Sequence, residues 1–490
     1  MSKIVFFPNN QFHRNLFLAV GENLKNSIGW NYHILVELDK RGSSNTTFYE
    51  ELILERWDQI DSSFPALWGL YEKYPEAEFT RALIAEREIN YFPEYFGDER
   101  VDFKYQLTYL VACVEVFEEF VNEHKPDVIV SEMLTGLADS ALKAVCNSNS
   151  IKFLSMRSSK MTEGIIVSDR DFDMPVGFED RVEKLRDQGV PADLEKRAKA
   201  HIEEIRSEYS RPHYMEITQK PFRLISMKRL RTMIKRLTTE RIATNAISLF
   251  QHPIYNPYRG ALRKWNNIRV TKNNKNNWFE EHVSEQAYFV YPIHYEPEAS
   301  SSIRAYNFSD QLGVIKMISR VLPLGVRLVV KEHKGNQGYR NTDFYKALYY
   351  VPNVVLVSGD YPVHSLIKNS LGIITLTSRM GWESLLLNKP VAALGDTFWT
   401  MAPGVVRIDG WKDIKNFVER VSREFYESDQ MKEPTLGKSQ DELDSKELIL
   451  FAAAYISLTL PGKFVLGAPD LYSELNVKRV SDAIFDHCQD

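Results

Sequence analysis

The stretch that most limits how this chain folds runs from Ile373 to Gly395, IITLTSRMGWESLLLNKPVAALG. Leu371 to Leu376 is a continuous apolar run, the pattern of a strand buried on both faces. Thr377, Ser378, Arg379, Met380 and Gly381 follow, and Trp382 to Leu387 reads as a helix. Asn388-Lys389-Pro390 ends that helix, and Val391 to Leu394 supplies the next strand. Strand, small polar turn, helix and strand make a βαβ unit, which requires a parallel sheet covered by helices. The turn falls at the carboxyl edge of the sheet, where free backbone N–H groups and the positive end of a helix dipole suit a phosphate. Thr377, Ser378 and Arg379 add donors there, and Gly381 allows close approach to the backbone. Glu383, one turn into the helix, can accept hydrogen bonds from a ribose or sugar hydroxyl. A plainer reading fits the same residues: Thr377 and Ser378 cap the helix, and Gly381 eases packing.

At 490 residues the chain exceeds one ordinary domain, so two α/β domains are expected. A hydrophobic content of 44% with 26% charged residues belongs to a water-exposed globular protein with ample core. No apolar run approaches a membrane span, and the first residues, MSKIVFFPNNQF, read as a buried strand rather than a signal peptide. Cys113, Cys146 and Cys488 are scattered and odd in number, which excludes a disulfide framework and zinc-type spacing. A cytoplasmic protein is the expectation.

Along the first half, Lys3 to Pro8 reads as a strand, followed by a helix through Leu16 to Leu24 and a second strand from Tyr32 to Leu38. Residues 45 to 120 are aromatic-rich with helical period, and Trp57, Trp68, Tyr71 and Tyr74 are expected in the core. Pro126 to Ser131 is an apolar strand, delivering Glu132 to a turn with Thr135 and Gly136. A helix from Ala138 to Cys146 and a strand from Ile151 to Ser155 complete a second βαβ unit.

Between Lys220 and Lys275 the composition changes to fourteen lysines and arginines against the single acid Glu240. Leu224, Met227, Leu230, Ile234 and Leu237 recur at helical spacing among these charges, which fits docking on an anionic membrane surface. A solvated helix packed on a domain fits equally. Nucleic acid is not expected, because no stacking aromatics are interleaved among the charges from Leu224 to Leu237 and the rest of the chain is acidic.

The second half opens with the strand Ala287 to Ile293, leading to His294 and Glu298. An amphipathic helix from Asp310 to Leu322 precedes the strand Val326 to Val330, which delivers Lys331, Glu332 and His333. Val354 to Val357 and Gly372 to Leu376 continue the series. A parallel sheet sets all these strand ends on one edge, so His294, Lys331, His333 and the Thr377–Gly381 turn should converge into an anion or nucleotide site. The expected domains are 1–215, a basic helical insert at 216–279, 280–430, and a helical segment at 431–490 packing back on the domains, with the helix around Ser445 to Leu460 bracing the first.

The segments YPIHYEPEAS (291–300), LVVKEHKGN (328–336) and TSRMGWESLLLNKPVAALG (377–395), in this order and spacing, resemble the capsule polysaccharide biosynthesis glycosyltransferases, which include bacterial Kdo transferases. The resemblance is specific across residues 285–400 and general in the first half. It implies a GT-B architecture of two Rossmann-like domains facing a cleft, with a nucleotide-sugar donor held by the second. The family's motif positions fall on His294, Glu298, Lys331, Glu332, His333, Gly381, Glu383, Lys389 and Pro390. Two positions depart: Lys334 replaces a proline, and Asn388 replaces a glycine.

Glycosyl transfer requires charge to be stabilised on the leaving nucleotide phosphate. Under the resemblance His333, Lys331 and the Thr377–Ser378 turn serve that role, with no cofactor beyond the donor substrate. No Asp-x-Asp pair is read at a strand end placed to hold a metal, so no metal is expected. The acceptor, a saccharide or glycolipid, needs a base from the first domain. Glu132 is the first choice, with His13, Asp139 and Glu163 behind it. Alternatives are a sugar-nucleotide epimerase, a polyol-phosphate transferase and a non-catalytic membrane-associated assembly factor.

Overall fold

The computed structural model describes residues 3–36, 46–90, 103–132, 136–207, 278–283, 286–296, 298–334, 340, 342–431, 438–465 and 467–488. The Lys220–Lys275 segment, Thr135, Gly335 and Gly338 lie outside them.

In the first half the strands are β1 (Lys3–Phe7), β2 (Asn31–Val36), β3 (Thr46–Phe48), β4 (Val128–Ser131), β5 (Lys152–Ser158) and β6 (Ile165–Ser168). They form one sheet in the order β3-β2-β1-β4-β5-β6, parallel except for β6, which pairs antiparallel with β5. The helices are α1 (Gln11–Ile28), α2 (Tyr49–Arg56), α3 (Phe64–Lys73), α4 (Phe79–Asn90), α5 (Phe103–His124) and α6 (Leu137–Ser148). Val5, Phe7, Leu35 and Ile129 meet α5 and α6 on one face, while Ile4, Phe6, Ile34 and Val130 meet α1 on the other. Alternate residues of each strand therefore fill two separate cores, the arrangement that continuous apolar strands imply.

The helices α7 (Phe178–Gln188) and α8 (Ala192–Ser207) lead to the second set of strands: β7 (Tyr288–Pro292), β8 (Arg327–Lys331), β9 (Val354–Val357), β10 (Gly372–Thr375), β11 (Val391–Ala393) and β12 (Val405–Arg407). Their order is β12-β11-β10-β7-β8-β9, parallel throughout, and it repeats the strand order of the first sheet, with β12 parallel where β6 is antiparallel. Between the strands lie α9 (Ala299–Ser302), α10 (Gln311–Val321), α11 (Thr342–Tyr349), α12 (Val363–Lys368) and α13 (Arg379–Leu386), followed by α14 (Trp411–Met431), α15 (Lys438–Ser457) and α16 (Glu474–Cys488). Two Rossmann-like α/β domains are therefore present, as expected. The short edge strands β3 and β12 and the antiparallel β6 gave no strand signal in the sequence.

One expectation is corrected. Trp68 and Tyr71 are not in the core: both are half-exposed or more, in a row of rings with Phe64 on the outer face of α3, while Tyr74 is buried. Helical spacing identifies a common face but not whether another element covers it. Leu185, Leu194 and Ile202, within the expected first domain, share a core with Val290, Ile373 and Trp382 of the second sheet as well as with Ile166 and Met174. α15 reaches the first half of the chain: Phe451 and Tyr455 share this core with Ile166 and Met174, and Tyr455 OH accepts from the Lys160 N–H at 3.2 Å. A further brace comes from α16, where Val477, Val480 and Ile484 pack among Leu16, Phe17 and Val20 of α1.

The domains meet near the carboxyl edges of their sheets. Asp173, which follows β6, binds Arg304, which follows β7, at 2.8 Å, and Arg157 of β5 at 3.3 Å. Burial pushes the Asp173 carboxyl up, but Arg304, Lys160 and Arg157 outweigh it and hold the group well below the usual carboxylate range. Arg81 of α4 donates to the carbonyl of Ile303 and lies over the Tyr306 ring.

Candidate functional site

In the second sheet the strand order reverses between β7 and β10, so their carboxyl ends flank the crevice where open α/β sheets bind ligands. His294 follows β7 by two residues and Thr377 follows β10 by two. The backbone N–H of Thr377 donates to His294 Nε2 at 3.0 Å. A ring nitrogen that accepts carries no proton, so Nδ1 holds the proton of the neutral imidazole. Burial, then the nearby His333 and Arg340, lower His294 to about 3, which keeps it neutral at physiological pH. Its backbone is fixed from behind: the His294 N–H donates to Gln311 Oε1 at 2.7 Å, and Arg340 Nη2 donates to its carbonyl at 3.2 Å. Arg340 is buried and also binds Glu296 at 2.6 Å. Neither Gln311 nor Arg340 was singled out in the sequence, because no local pattern shows that a residue so far along the chain supports a turn.

The turn after β10 fits the capping reading in detail. Ser378 is the N-cap of α13, its Oγ accepting from the Met380 N–H at 3.2 Å. Thr377 Oγ1 donates to the Ser300 carbonyl at 3.2 Å, tying the turn to α9, while Ser300 Oγ donates to Glu298 Oε2 at 2.8 Å. At Gly381 a Cβ would lie 2.4 Å from the Trp399 ring, so packing alone requires glycine there. The other departure from the family pattern has a local reason: Asn388 has φ +55°, the left-handed conformation that asparagine tolerates better than other side chains.

Glu383 lies in α13, almost fully buried, with Arg379 Nε 3.5 Å from Oε1. Its Oε2 is buried without a hydrogen-bond partner among the described residues. Burial outweighs the Arg379 charge and raises the carboxyl to about 7. A buried carboxyl with one oxygen unused is a ready acceptor for a ligand hydroxyl. On an adjoining face of α13, Trp382 Nε1 donates to His201 Nε2 of α8 at 3.3 Å.

The Lys331-Glu332-His333 run divides among different surroundings. Lys331 Nζ donates to the carbonyls of Gly359 at 2.6 Å and Ser358 at 3.4 Å, and burial lowers it to about 8. Glu332 is buried, with one oxygen accepting from Tyr345 OH at 2.6 Å and the other from the His333 N–H at 2.7 Å. The His333 ring stands edge-on to Tyr295, 5.6 Å between centroids. Burial, then Lys331 and Arg340, lower it to about 4, so it is a neutral imidazole at physiological pH. β7 and β8 are paired in parallel with Pro292 opposite Lys331, so the strand ends that carry His294 and His333 lie side by side.

Glu132 occupies the equivalent switch point of the first sheet, between the ends of β1 and β4. Its Oε1 accepts from the Asn9 N–H at 2.8 Å, and the Asn10 amide reaches both oxygens at 3.0 and 2.9 Å. His13 Nδ1 lies 2.6 Å from Oε2, and His13 Nε2 meets the Phe464 carbonyl at 3.0 Å. The carboxylate is thus engaged by three groups of the β1–α1 turn. Asp139 accepts from the Gly136 N–H at 3.1 Å at the start of α6, and Glu163 lies 3.8 Å from Lys463.

The run Asp169-Arg170-Asp171-Phe172-Asp173 does stand at a strand end, directly after β6, contrary to the sequence reading. Its acids meet cations: Asp171 pairs with Lys143 and Asp173 with Arg157 and Arg304. Among the described residues no group of three or more His, Cys, Asp or Glu is arranged to hold a metal ion.

Solved structures similar to this chain are distant from it. The beta Kdo 2,7 transferase of Thermosulfurimonas dismutans KpsC has a TM-score of 0.36 at 10% identity, covering 76% of this chain and 89% of its own. The beta Kdo 2,4 transferase of the same KpsC has 0.28 at 13%, covering 67% and 79%. The UDP-GlcNAc 2-epimerase of Neisseria meningitidis, bound to UDP-GlcNAc, has 0.28 at 11%, covering 99% and 100%. No curated protein matches in sequence. The family model described as capsule polysaccharide biosynthesis protein matches residues 202–432, the stretch that holds β7 to β12 and the His294–Thr377 site. Over these residues the chain carries the sequence pattern of the capsule polysaccharide biosynthesis proteins.

Proposed function

We propose that this protein is a GT-B-type glycosyltransferase that uses a nucleotide-activated sugar to build a bacterial capsule or other surface polysaccharide. The observation that carries the reading is the bond between His294 Nε2 and the Thr377 N–H at the switch point, inside the matched family region. It fixes a neutral imidazole and a capped helix start beside a buried carboxyl with a free oxygen. The donor is a nucleotide sugar, CMP-Kdo or a related carboxylated sugar. In this proposal Glu383 accepts a ribose or sugar hydroxyl through Oε2, and Thr377, Ser378, Arg379 and Gly381 form the phosphate turn. Glu298 and Glu332 belong to its supporting wall.

His333 donates a hydrogen bond to the leaving phosphate as charge grows on it, which a neutral imidazole does through its N–H. Lys331 contributes positive charge from its seat on the β9 carbonyls. Glu132 takes the proton of the acceptor hydroxyl, which requires it to exchange one of its donors from the β1–α1 turn when the acceptor binds. No metal is assigned a role. The Lys220–Lys275 segment is proposed as a contact with the inner face of the membrane, where a glycolipid acceptor would be held.

Thermal stabilisation by CMP-, UDP-, GDP- and CDP-linked sugars identifies the donor, because a ligand that binds only the folded state raises the melting temperature. Incubating the stabilising donor with a saccharide acceptor should then give a glycosylated product. Conversion of the donor sugar without any acceptor would replace this reading with an epimerase. Stabilisation by none of the donors would remove the nucleotide-sugar site.

A further inference from the structure

Away from the crevice, at the amino edge of the second sheet, several large apolar side chains stand in water. Leu324, in the loop before β8, is fully exposed at 104%. Tyr349 and Tyr350, before β9, are 52% and 70% exposed. β8 and β9 are paired neighbours, so their leading loops lie side by side, joined by a hydrogen bond from Asn353 Nδ2 to the Ser319 carbonyl at 2.7 Å. Trp411, 58% exposed, reaches the same place from the start of α14: with Arg320, Leu324 and Lys415 it lines a groove of about 510 Å³.

The charge of this surface departs from that of the chain. The protein carries a net charge of −5, yet neither Gln311–Lys331 nor Phe344–Ser358 contains an aspartate or glutamate. Arg320, Arg327 and Lys346 come from these two segments, and the start of α14 adds Lys412 and Lys415 with one acid, Asp413. Glu419, 3.7 Å from Lys415, is the one acid lining the groove. Exposed leucine at a loop tip, tyrosine and tryptophan beside it, and arginine and lysine around them are matched by one kind of partner. The rings sit at the headgroup level, the leucine reaches the acyl boundary, and the cations meet anionic lipid. Nucleic acid would satisfy the cations but leave Leu324 in water.

From this placement we infer that the β8 and β9 leading loops with the start of α14 form a docking surface for an anionic lipid bilayer. The surface is separate from the Lys220–Lys275 segment and rests on residues at the sheet edge opposite to the candidate site. Strands of four and five residues put roughly 13–17 Å of backbone between the two edges, so substitutions in these loops do not touch the crevice. The inference adds a second surface to the membrane contact proposed above and does not depend on the transferase activity.

Flotation of the full chain with phosphatidylcholine vesicles, alone or containing phosphatidylglycerol, tests this. The protein should float with the anionic vesicles, and its bound fraction should fall as salt rises. Leu324→Glu with Tyr350→Glu should lower vesicle partition by about tenfold or more, through lost insertion and added repulsion. Leu324→Ser with Tyr350→Ser should lower it less, and both variants should keep the melting temperature of the parent. The Leu324→Glu/Tyr350→Glu change should lower partition by the same factor in a protein whose Lys228, Arg229 and Arg231 are already reversed, which separates this surface from the basic segment. Equal flotation of parent and Leu324→Glu/Tyr350→Glu protein would overturn the inference, as would failure of the parent to float. Because partition is read without turnover, neither result bears on the glycosyltransferase reading.

Discussion

Glu383 offers the most direct measurement of how the candidate site is built. Its carboxyl rises from 4.5 to about 7 because burial outweighs the single nearby charge of Arg379. Below pH 4.5 the group is protonated in both the folded and the unfolded chain and contributes nothing to the pH dependence. Between 4.5 and 7 the unfolded chain releases the proton while the folded protein keeps it. Stability must then fall as pH rises through this window, by up to about 1.4 kcal/mol per pH unit, and level off above 7. The whole interval is worth roughly 3 kcal/mol as an upper figure. Glu383→Gln keeps the shape and cannot ionise. Its stability relative to the parent should therefore climb from near zero at pH 4.5 to about 2–3 kcal/mol above pH 7. Denaturant unfolding followed by tryptophan fluorescence at pH 5, 6, 7 and 8 measures the difference, which cancels every other titrating group. Parallel curves for the two proteins would show that the carboxyl is not held neutral by burial. A donor hydroxyl bound at Oε2 favours the ionised form, so donor affinity should also improve as pH rises through 7 in the parent and not in Glu383→Gln.

Other consequences follow from named contacts. Replacing His294 by alanine strands the Thr377 N–H without its acceptor and should cost about 1–3 kcal/mol of stability, measured by denaturant titration. His333→Ala should lower turnover by about a hundredfold while leaving the fold intact, and unchanged turnover would remove His333 from the chemistry. His33, His201, His294 and His333 are all lowered, chiefly by burial, with values of about 4, 4, 3 and 4. Each is neutral when folded and charges first when unfolded, so stability present above pH 6.5 should be lost as pH falls toward 4; His201→Gln should shallow that acid limb. Asp173→Ala leaves the buried Arg157 and Arg304 without their shared carboxylate, and should cost about 3–5 kcal/mol in unfolding experiments.

The sequence by itself determined the strands that run through the interior. Lys3–Phe7, Val128–Ser131, Tyr288–Pro292, Arg327–Lys331 and Gly372–Thr375 are covered on both faces, so their interior positions are consecutive apolar residues, with polar ones at the ends, and the run is legible without neighbours. Once they are parallel, the carboxyl edge is fixed, and His294, His333 and Thr377 must come to it. Tertiary structure decided the rest. Whether the Trp68 and Tyr71 face is covered depends on which helix lies opposite, and among the described residues none does. Where α7, α8 and α15 pack depends on the second sheet, hundreds of residues from the start of the chain. Gln311 and Arg340 fix His294 only because folding brings α10 and the stretch after β8 behind it. The same holds for charge: that Glu383 is held near neutrality while Asp173 stays ionised follows from one cation at 3.5 Å in the first case and two within 3.3 Å in the second. Periodicity records what a residue is and how its neighbours alternate; burial and pairing are properties of distances that only the packed chain sets.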